Sequence, residues 1–569
     1  MLTKLIVRNF KMFDEVEIEL GKRVVLIGPN NSGKTSILQA LALWDVGVKR
    51  WVEKRGSGPV PEKRPGVTIN RRDLIAIPVP AANLLWRDLH VRDTVKGRGT
   101  QNVRVEIIVS GVDGGKEWTC GLEFDYANEE SLYCRALRLP DGKRMETPAE
   151  AARLRIAYLP PMSGLAANET RLDEGAINVR LGEGRTAEVL RNLCWRVLES
   201  EDGNRKWATL VKRLKELFGV TLEEPKYIKE RGEIVMSFRT PSGVRLDLSA
   251  AGRGMQQTLL LLAHMTINPG AVLLLDEPDA HLEILRQRQM YQILTETADE
   301  TGSQIIAASH SEVLLNEAAD RDVLIAFVGK PHRVDDRGSQ VLKALKEIGF
   351  EHYYQAEQTG WVLYLEGSTD LAILRAFADK MNHPAKAVLD RPFVHYVGNQ
   401  PKKAQDHFHA LREAKKDLVG VAIYDRLDQP LPDDAYLRQL MWRRREIENY
   451  LCTRETLLNF ATYHGLQMGP IFEELWRHAM EAAITEIEEA LKALGKPSPW
   501  SPSLKVSEEF FSPVFAKFYQ RLGLTNLMSK TNYHELVRFV PDSAIDPEVC
   551  EKLDIILEVA EQANPRQDG

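Results

Sequence analysis

The chain has 569 residues, 75 Lys and Arg against 81 Asp and Glu for a formal charge of −6, and 44% hydrophobic residues. That length suits about three or four domains, each burying its own core, and the slightly acidic balance excludes a chain-wide nucleic-acid footprint, so any such contact must be local. Five cysteines (Cys120, Cys134, Cys194, Cys452, Cys550) are scattered and lack C-x-x-C spacing, which argues against a disulfide framework or a zinc site and for a reducing compartment. No signal-peptide-like apolar run precedes Arg8 and Lys11, and the longest apolar runs, 258–263 and 271–275, are too short to span a bilayer. A cytoplasmic protein without a membrane partner is expected.

Alternation over 2–10 and 16–20 predicts half-buried strands. The aliphatic run 24–27 then leads into Gly28-Pro29-Asn30-Asn31-Ser32-Gly33-Lys34-Thr35 and a helix over about 35–44. Glycines between a strand and a helix let successive N–H groups point at a phosphate. Lys34 reaches the β- and γ-phosphates, and the Thr35 hydroxyl ligates Mg²⁺. Asn30, Asn31, Gly33 and Ser36 complete the expected nucleotide-binding set, and a nucleoside triphosphate with Mg²⁺ is the expected cofactor.

The basic stretch 49–72 holds Arg50, Lys54, Arg55, Lys63, Arg64, Arg71 and Arg72 around Trp51. With Glu53, Glu62 and Asp73 mixed in, it reads as a solvated loop rather than a nucleic-acid contact. Segments 103–109, 118–124 and 132–139 read as an antiparallel meander, 154–159 as a further strand, 169–218 as charged helix, and 234–238 and 244–248 as strands. Ser249, Gly252 and Gly254 then open an apolar helix, where free N–H groups and the helix dipole make an anion site. The buried strand 272–276 ends in Asp276 and Glu277; Asp276 would hold Mg²⁺ through water and Glu277 would orient or deprotonate the attacking water. His310 leaves the next apolar strand in the order expected of a γ-phosphate sensor.

The phosphate loop, Leu248-Ser249-x-x-Gly252-x-Gly254, Leu273-Leu274-Leu275-Asp276-Glu277-Pro278-Asp279-Ala280 and the strand-end histidine, in this order, resemble the ATP-binding-cassette (ABC) ATPases. The closest look is the SMC/RecF-like branch, whose N-termini read much like residues 8–20 here. The resemblance covers about 1–330. It implies ATP as the nucleotide and a homodimer at least, because Ser249, Gly252 and Gly254 would complete the site of a second copy. A glutamine loop is not evident; the turn after Tyr158-Leu159-Pro160-Pro161 lies where it would be. The expected ATPase domain is 1–350, with a helical insertion at 165–225 as a candidate dimerisation element.

After a strand at 323–328, a helix at 339–348 and a linker at 351–360, a second α/β unit starts at 361. Its first strand ends in Glu366, with Asp370 in the following turn. Further strands are expected at 393–397 and 419–424, the latter ending Asp425-Arg426-Leu427-Asp428, and Glu446 and Glu448 follow Arg443-Arg444-Arg445. Carboxylates gathered at strand ends suit a ligand position and a hard cation, Mg²⁺ or Mn²⁺. Helices at 470–494 and 507–522 separate these acids from Lys530.

This second half resembles a TOPRIM domain, and the combination resembles the OLD (overcoming lysogenization defect) family of ATPase–TOPRIM nucleases, GajA-like members included. The resemblance spans 361–569. Glu366 matches the family's strand-one glutamate and Asp425 the first acid of its Asp-x-Asp; here Asp428 stands one position late for the second. Glu446 and Glu448 both suit the companion acidic motif, and Lys530 in Met528-Ser529-Lys530-Thr531 suits the late catalytic lysine. The resemblance implies an ATP-regulated, divalent-metal-dependent endonuclease acting on DNA in prokaryotic anti-phage defence, with room for an accessory defence protein. An RNA- or tRNA-cleaving TOPRIM effector of the PARIS kind, and a non-catalytic ATP-driven nucleic-acid sensor or scaffold, are the alternatives.

Overall fold

The computed structural model describes residues 1–95, 99–166, 168–318, 321–334 and 348–565. The chain divides into two compact units, Met1–Leu342 and Lys343–Gln567. Among the described residues, no helix is long and apolar enough to cross a membrane.

The first unit is built on two six-stranded sheets. One is antiparallel, in the order Phe13–Glu19, Leu2–Phe10, Val105–Asp113, Lys116–Asn128, Ser131–Ala136, Val67–Asn70. The other runs Ile156–Leu159, Val272–Asp276, Gln304–Ser309, Arg23–Ile27, Val323–Ala326, all parallel, with His332–Arg333 added antiparallel at the edge. The strands 272–276 and 304–309 are buried along their whole length, as expected of parallel strands covered on both faces. The helix Lys34–Arg55 packs against both sheets in one core, through Ile37, Leu38, Leu41, Trp44 and Val48. It runs past the expected end near residue 44, because Trp44, Val48 and Trp51 continue the same apolar stripe. It stops at Gly56, in left-handed backbone at φ 78°. Residues 49–55 of the basic stretch are therefore helix rather than loop. Arg50 pairs with Glu53 and Asp73 and Arg71 with Glu130, so these cations answer local acids.

The charged segment 169–218 resolves into helices Glu174–Gly182, Leu190–Glu199 and Gly203–Phe218. The second begins on a buried carboxylate. Glu169 accepts from the backbone N–H of Arg191 (2.9 Å) and Asn192 (2.6 Å) and from the Asn192 amide (2.8 Å), satisfying donors that a helix start leaves open. The buried Arg191 guanidinium donates to the Ala166 carbonyl (3.0 Å) and to Asp247 (3.3 Å).

The second unit is organised on a four-stranded parallel sheet in the order Val394–Tyr396, Trp361–Leu365, Val419–Tyr424, Leu437–Met441. Alternate residues take opposite faces. Val362, Tyr364, Ala422 and Tyr424 pack with Ala356, Ala404 and Phe408 of helices Phe350–Thr359 and Pro401–Ala414. Trp361, Leu363, Leu365, Val421 and Ile423 pack with helix Ser368–Lys380 and the C-terminal helices Arg454–Met468, Phe472–Ala493, Ser512–Leu522 and Pro547–Glu561. One expectation is corrected here, and one strand is new. Residues 351–359 of the expected linker are helix, capped by Gly360, because Ala356 packs into the core on the sheet. The strand 437–441 went unread because Arg438 and Gln439 interrupt its apolar pattern. The helix expected at 339–348 falls, except for Ile348, outside the described residues.

Removing a carboxylate that a buried helix start and a buried arginine both rely on costs about 3–5 kcal/mol. Glu169→Ala should therefore lower stability by about 3 kcal/mol in denaturant titration, and Glu169→Gln by less, since its amide oxygen still accepts. A loss under about 1 kcal/mol for Glu169→Ala would remove this capping role.

Candidate active sites

In the first unit, the strand Arg23–Ile27 turns through 28–33 into the helix at Lys34. Asn31 (φ 63°) and Gly33 (φ 96°) are both left-handed, which curls the turn under the free N–H groups of the helix start. A Cβ at Gly28 would lie 2.7 Å from the Phe327 carbonyl, and one at Gly33 2.5 Å from the Phe13 ring. Lys34 is buried, and its Nζ donates to the carbonyls of Gly28 (2.7 Å) and Pro29 (2.6 Å). The ammonium thus sits inside the loop that would wrap a phosphate. Asn30 and Asn31 are exposed on that loop and Ser36 is half-buried.

Thr35 Oγ1 donates to Asp276 Oδ1 at 3.1 Å, so the expected Mg²⁺ pair is assembled. Burial raises the Asp276 carboxyl to about 6. Tyr158, unread as a site residue, donates to the other oxygen at 3.4 Å; it lies just before the turn where a glutamine loop was sought. Glu277 adopts φ 47°, held by its N–H to the Ala308 carbonyl at 2.8 Å, and its carboxylate lies 3.5 Å from His310 Nδ1. The fold brings Lys34, Thr35, Asp276, Glu277 and His310 to the carboxyl edge of the parallel sheet, where open α/β sheets bind ligands.

Ser249 and Gly252 are exposed, Gly252 precedes helix Arg253–Ile267, and Gly254 packs against Leu282 and His281. Ser249 donates its N–H to Asp247 (2.8 Å), the same carboxylate oxygen that takes Arg191, so a chain from the buried Glu169 and Arg191 runs out through the exposed Asp247 to this serine. Among the described residues, no hydrogen bond joins Ser249, Gly252 or Gly254 to the phosphate loop.

The second unit gathers acids at the carboxyl ends of three of its four strands. Glu366 follows 361–365, Asp425 follows 419–424, and Glu446 and Glu448 lie in the turn after 437–441, Ile447–Tyr450. Asp370 is buried in the first turn of helix Ser368–Lys380 and accepts from the Glu366 N–H at 3.1 Å. Burial, then the charge of Glu366, raises Asp370 to about 6. Asp425 is held well above the ordinary carboxylate range by burial, by a hydrogen bond with Glu366, and by the fields of Glu366, Asp370 and Glu448. Glu448, buried beside Glu446 and Asp370, is raised as well. Glu446 is raised by burial although Ser507 donates to it from both N–H (2.5 Å) and Oγ (2.9 Å).

The exposed Lys530 lends its positive field to Glu446 and Glu448. Lys505, with no sequence signal, lies in the fields of Glu446 and Glu366 while its ammonium bonds Glu508 at 2.6 Å. Asn399 was also missed. Left-handed at φ 61°, it reaches Glu366 Oε2 with its amide N–H (3.4 Å) and takes the Asp425 N–H on its amide oxygen (2.9 Å). The pair Gly398-Asn399 at a strand end was a turn signal that could have found it. Asp428 is exposed; among the described residues no hydrogen bond or ion pair links it to the other acids. Arg443 pairs with Glu551 and Arg444 with Asp546, which takes both guanidinium groups away from the acids.

The donor set, carboxylate oxygens that repel one another when no cation is near, fits Mg²⁺ or Mn²⁺. The geometry of Glu366, Asp370, Asp425, Glu446 and Glu448 is that of one acidic cluster.

Two family models match parts of the chain: "AAA domain, putative AbiEii toxin, Type IV TA system" over residues 175–316, and "AAA ATPase domain" over residues 1–44. The helices Leu190–Glu199 and Gly203–Phe218 lie inside the first match. No curated protein matches the chain. Among solved structures, the SMC head domain from Thermotoga maritima is 18% identical over 58% of this chain and 98% of its own, with a TM-score of 0.32. An SMC head bound to the C-winged helix domain of ScpA is 17% identical over 58% and 97%, with a TM-score of 0.34. An SMC head with an extended coiled coil, bound to the C-terminal domain of ScpA derived from Pyrococcus furiosus, is 16% identical over 61% and 99%, with a TM-score of 0.35. The phosphate loop, the Thr35–Asp276 pair and these two matches mark the first unit as an AAA-type ATPase domain. It binds nucleotide.

The acidic cluster sets a sign for pH dependence. Asp370 titrates near 6 when folded and about 3.9 unfolded, so between these values the folded state holds the extra proton and stability falls as pH rises. Asp425 and Glu448, raised as well, extend that fall upward in pH. Without divalent cation, the thermal midpoint of the second unit should therefore drop from about pH 5 to about pH 8, and millimolar Mg²⁺ should restore it progressively with pH. Glu366→Gln should flatten both trends. An Mg²⁺ stabilisation that is pH-independent would overturn the cluster as a cation site.

Proposed function

We propose that the chain is an ATP-regulated, divalent-metal-dependent endonuclease of the OLD kind, with a TOPRIM nuclease domain over 361–569 and DNA as its substrate. The observation that supports the reading most is the convergence of Glu366, Asp370, Asp425, Glu446 and Glu448 at one sheet edge, with Lys505 and Lys530 beside them. A packing role explains such a cluster poorly, since buried carboxylates repel one another. When bound, divalent cations at such a site supply an activated water and charge stabilisation at the leaving oxygen.

In this reading Glu366, Asp425 and one or both of Glu446 and Glu448 hold the cations, and Asn399 keeps the first two in register. Asp370 fixes the backbone of Glu366 and adds negative charge. Lys530 and Lys505 face the charge that develops on the phosphate. With Asp428 exposed, Glu448 is the better stand-in for the second acid of Asp-x-Asp. ATP binds at Lys34 and Thr35 with Mg²⁺ held by Thr35 and Asp276; Glu277 orients the water and His310 reads the γ-phosphate. Ser249 and Gly252, exposed and not hydrogen-bonded to the phosphate loop, with Gly254 beside them, suit completion of the site of a second copy, and therefore a homodimer. The family model at 175–316 is described as a toxin of a toxin–antitoxin system, which suits a role in prokaryotic anti-phage defence inside the cell, alone or with an accessory protein.

The test is cleavage of plasmid, linear DNA and total RNA with Mg²⁺ or Mn²⁺. Glu366→Ala and Asp425→Ala should each lower cleavage at least a hundredfold and leave ATP turnover within about twofold. Undiminished cleavage by Glu366→Ala on every substrate would sink the nuclease reading and leave a non-catalytic sensor; cleavage of RNA alone would correct the substrate. Separately, Glu277→Gln should still bind ATP and lose at least a hundredfold in hydrolysis, because only water activation is removed. Hydrolysis at the wild-type rate would reassign the base.

A further inference from the structure

Three histidines in the second unit converge from elements other than those that carry the acids. His352 lies on helix Phe350–Thr359, His395 on the edge strand Val394–Tyr396, and His407 on helix Pro401–Ala414. One ring nitrogen from each lies within 4.8 Å of the other two. His352 Nδ1 and His407 Nε2 are 3.0 Å apart, and the Tyr364 hydroxyl is 2.8 Å from His407 Nδ1. All three rings are only half-buried, so an ion has a way in.

The geometry points to a site for a borderline transition-metal ion, Zn²⁺ being the best match, held by His352, His395 and His407. Such an ion would pin both helices to the sheet edge.

Two nitrogens on a tetrahedral zinc at ~2.0–2.1 Å stand roughly 3.3 Å apart, a few tenths of an ångström more than the observed pair. Tyr364 supplies the outer partner that metal-binding histidines ordinarily have. With His407 Nε2 on the ion, its ring proton moves to Nδ1 and is donated to the Tyr364 oxygen, so no net proton is lost. The His395 and His407 rings are stacked, 4.0 Å between centroids and 5° between planes, and an ion cannot lie in both planes. His352 and His407 therefore bind first, and His395 joins by rotating about its Cβ–Cγ bond. The three-nitrogen set selects against Mg²⁺, which takes oxygen ligands, so this site differs in chemistry from the acidic cluster. A fourth position stays open to water.

The full chain, stripped with chelator and held in excess Mg²⁺ to fill oxygen sites, is titrated with Co²⁺ and read by visible absorption. One equivalent with the intense bands of tetrahedral Co²⁺ is expected, displaced by one equivalent of Zn²⁺. His352→Gln and His407→Gln should each weaken binding at least tenfold, Tyr364→Phe about tenfold, and the double variant Glu366→Gln, Asp425→Asn should keep the bands. Absence of tetrahedral bands from the wild type would overturn the site. So would bands that survive in both histidine variants, or bands lost only with the carboxylates. Should a histidine variant fail to fold, Tyr364→Phe decides: unchanged affinity there overturns the assignment.

Discussion

Mutual repulsion among buried carboxylates governs the second unit. Glu366, Asp370, Asp425, Glu446 and Glu448 each sit in reach of at least one other acid's field, and a hydrophobic interior does not relieve that. The fold keeps them together by three means. Glu366 and Asp425 share a hydrogen bond, Asn399 bridges the Glu366 carboxylate to the Asp425 backbone, and Ser507 with Lys505 and Lys530 answers Glu446 and Glu448. Parallel topology makes the arrangement reachable, since strands running one way all end on one edge.

The first unit uses the same edge of a different sheet for a different ligand. Its loop is backbone N–H and one lysine, suited to phosphate, whereas the second unit's edge is carboxylate, suited to cations. Thr35 and Asp276 mark where the two chemistries meet in the ATPase domain: a hydroxyl from the loop on a carboxylate from a neighbouring motif, 241 residues apart in the chain. Tyr158, on the strand at the sheet's edge, donates to the far oxygen of Asp276.

The chain from the buried Glu169 and Arg191 to the exposed Asp247 and the Ser249 N–H links the helix Leu190–Glu199 to the serine–glycine segment. Removal of Glu169 or Asp247 would leave the buried Arg191 with fewer acceptors.

Local chemistry made the phosphate loop, the buried strands 272–276 and 304–309 and the strand-end acids legible, because glycines, apolar runs and terminal carboxylates act over a few residues. The same local reading ended the first helix at Trp44, since the stripe that carries it on through Trp51 is sparse. It took the helix at 351–359 for a linker, since its half-polar face finds its core only against the sheet. Which of Asp428, Glu446 and Glu448 joins Glu366 and Asp425 was decided by packing, as were the roles of Lys505 and Asn399 and the meeting of His352, His395 and His407. Each depends on which strand ends lie side by side, and strand order is a long-range property that spacing along the chain does not carry.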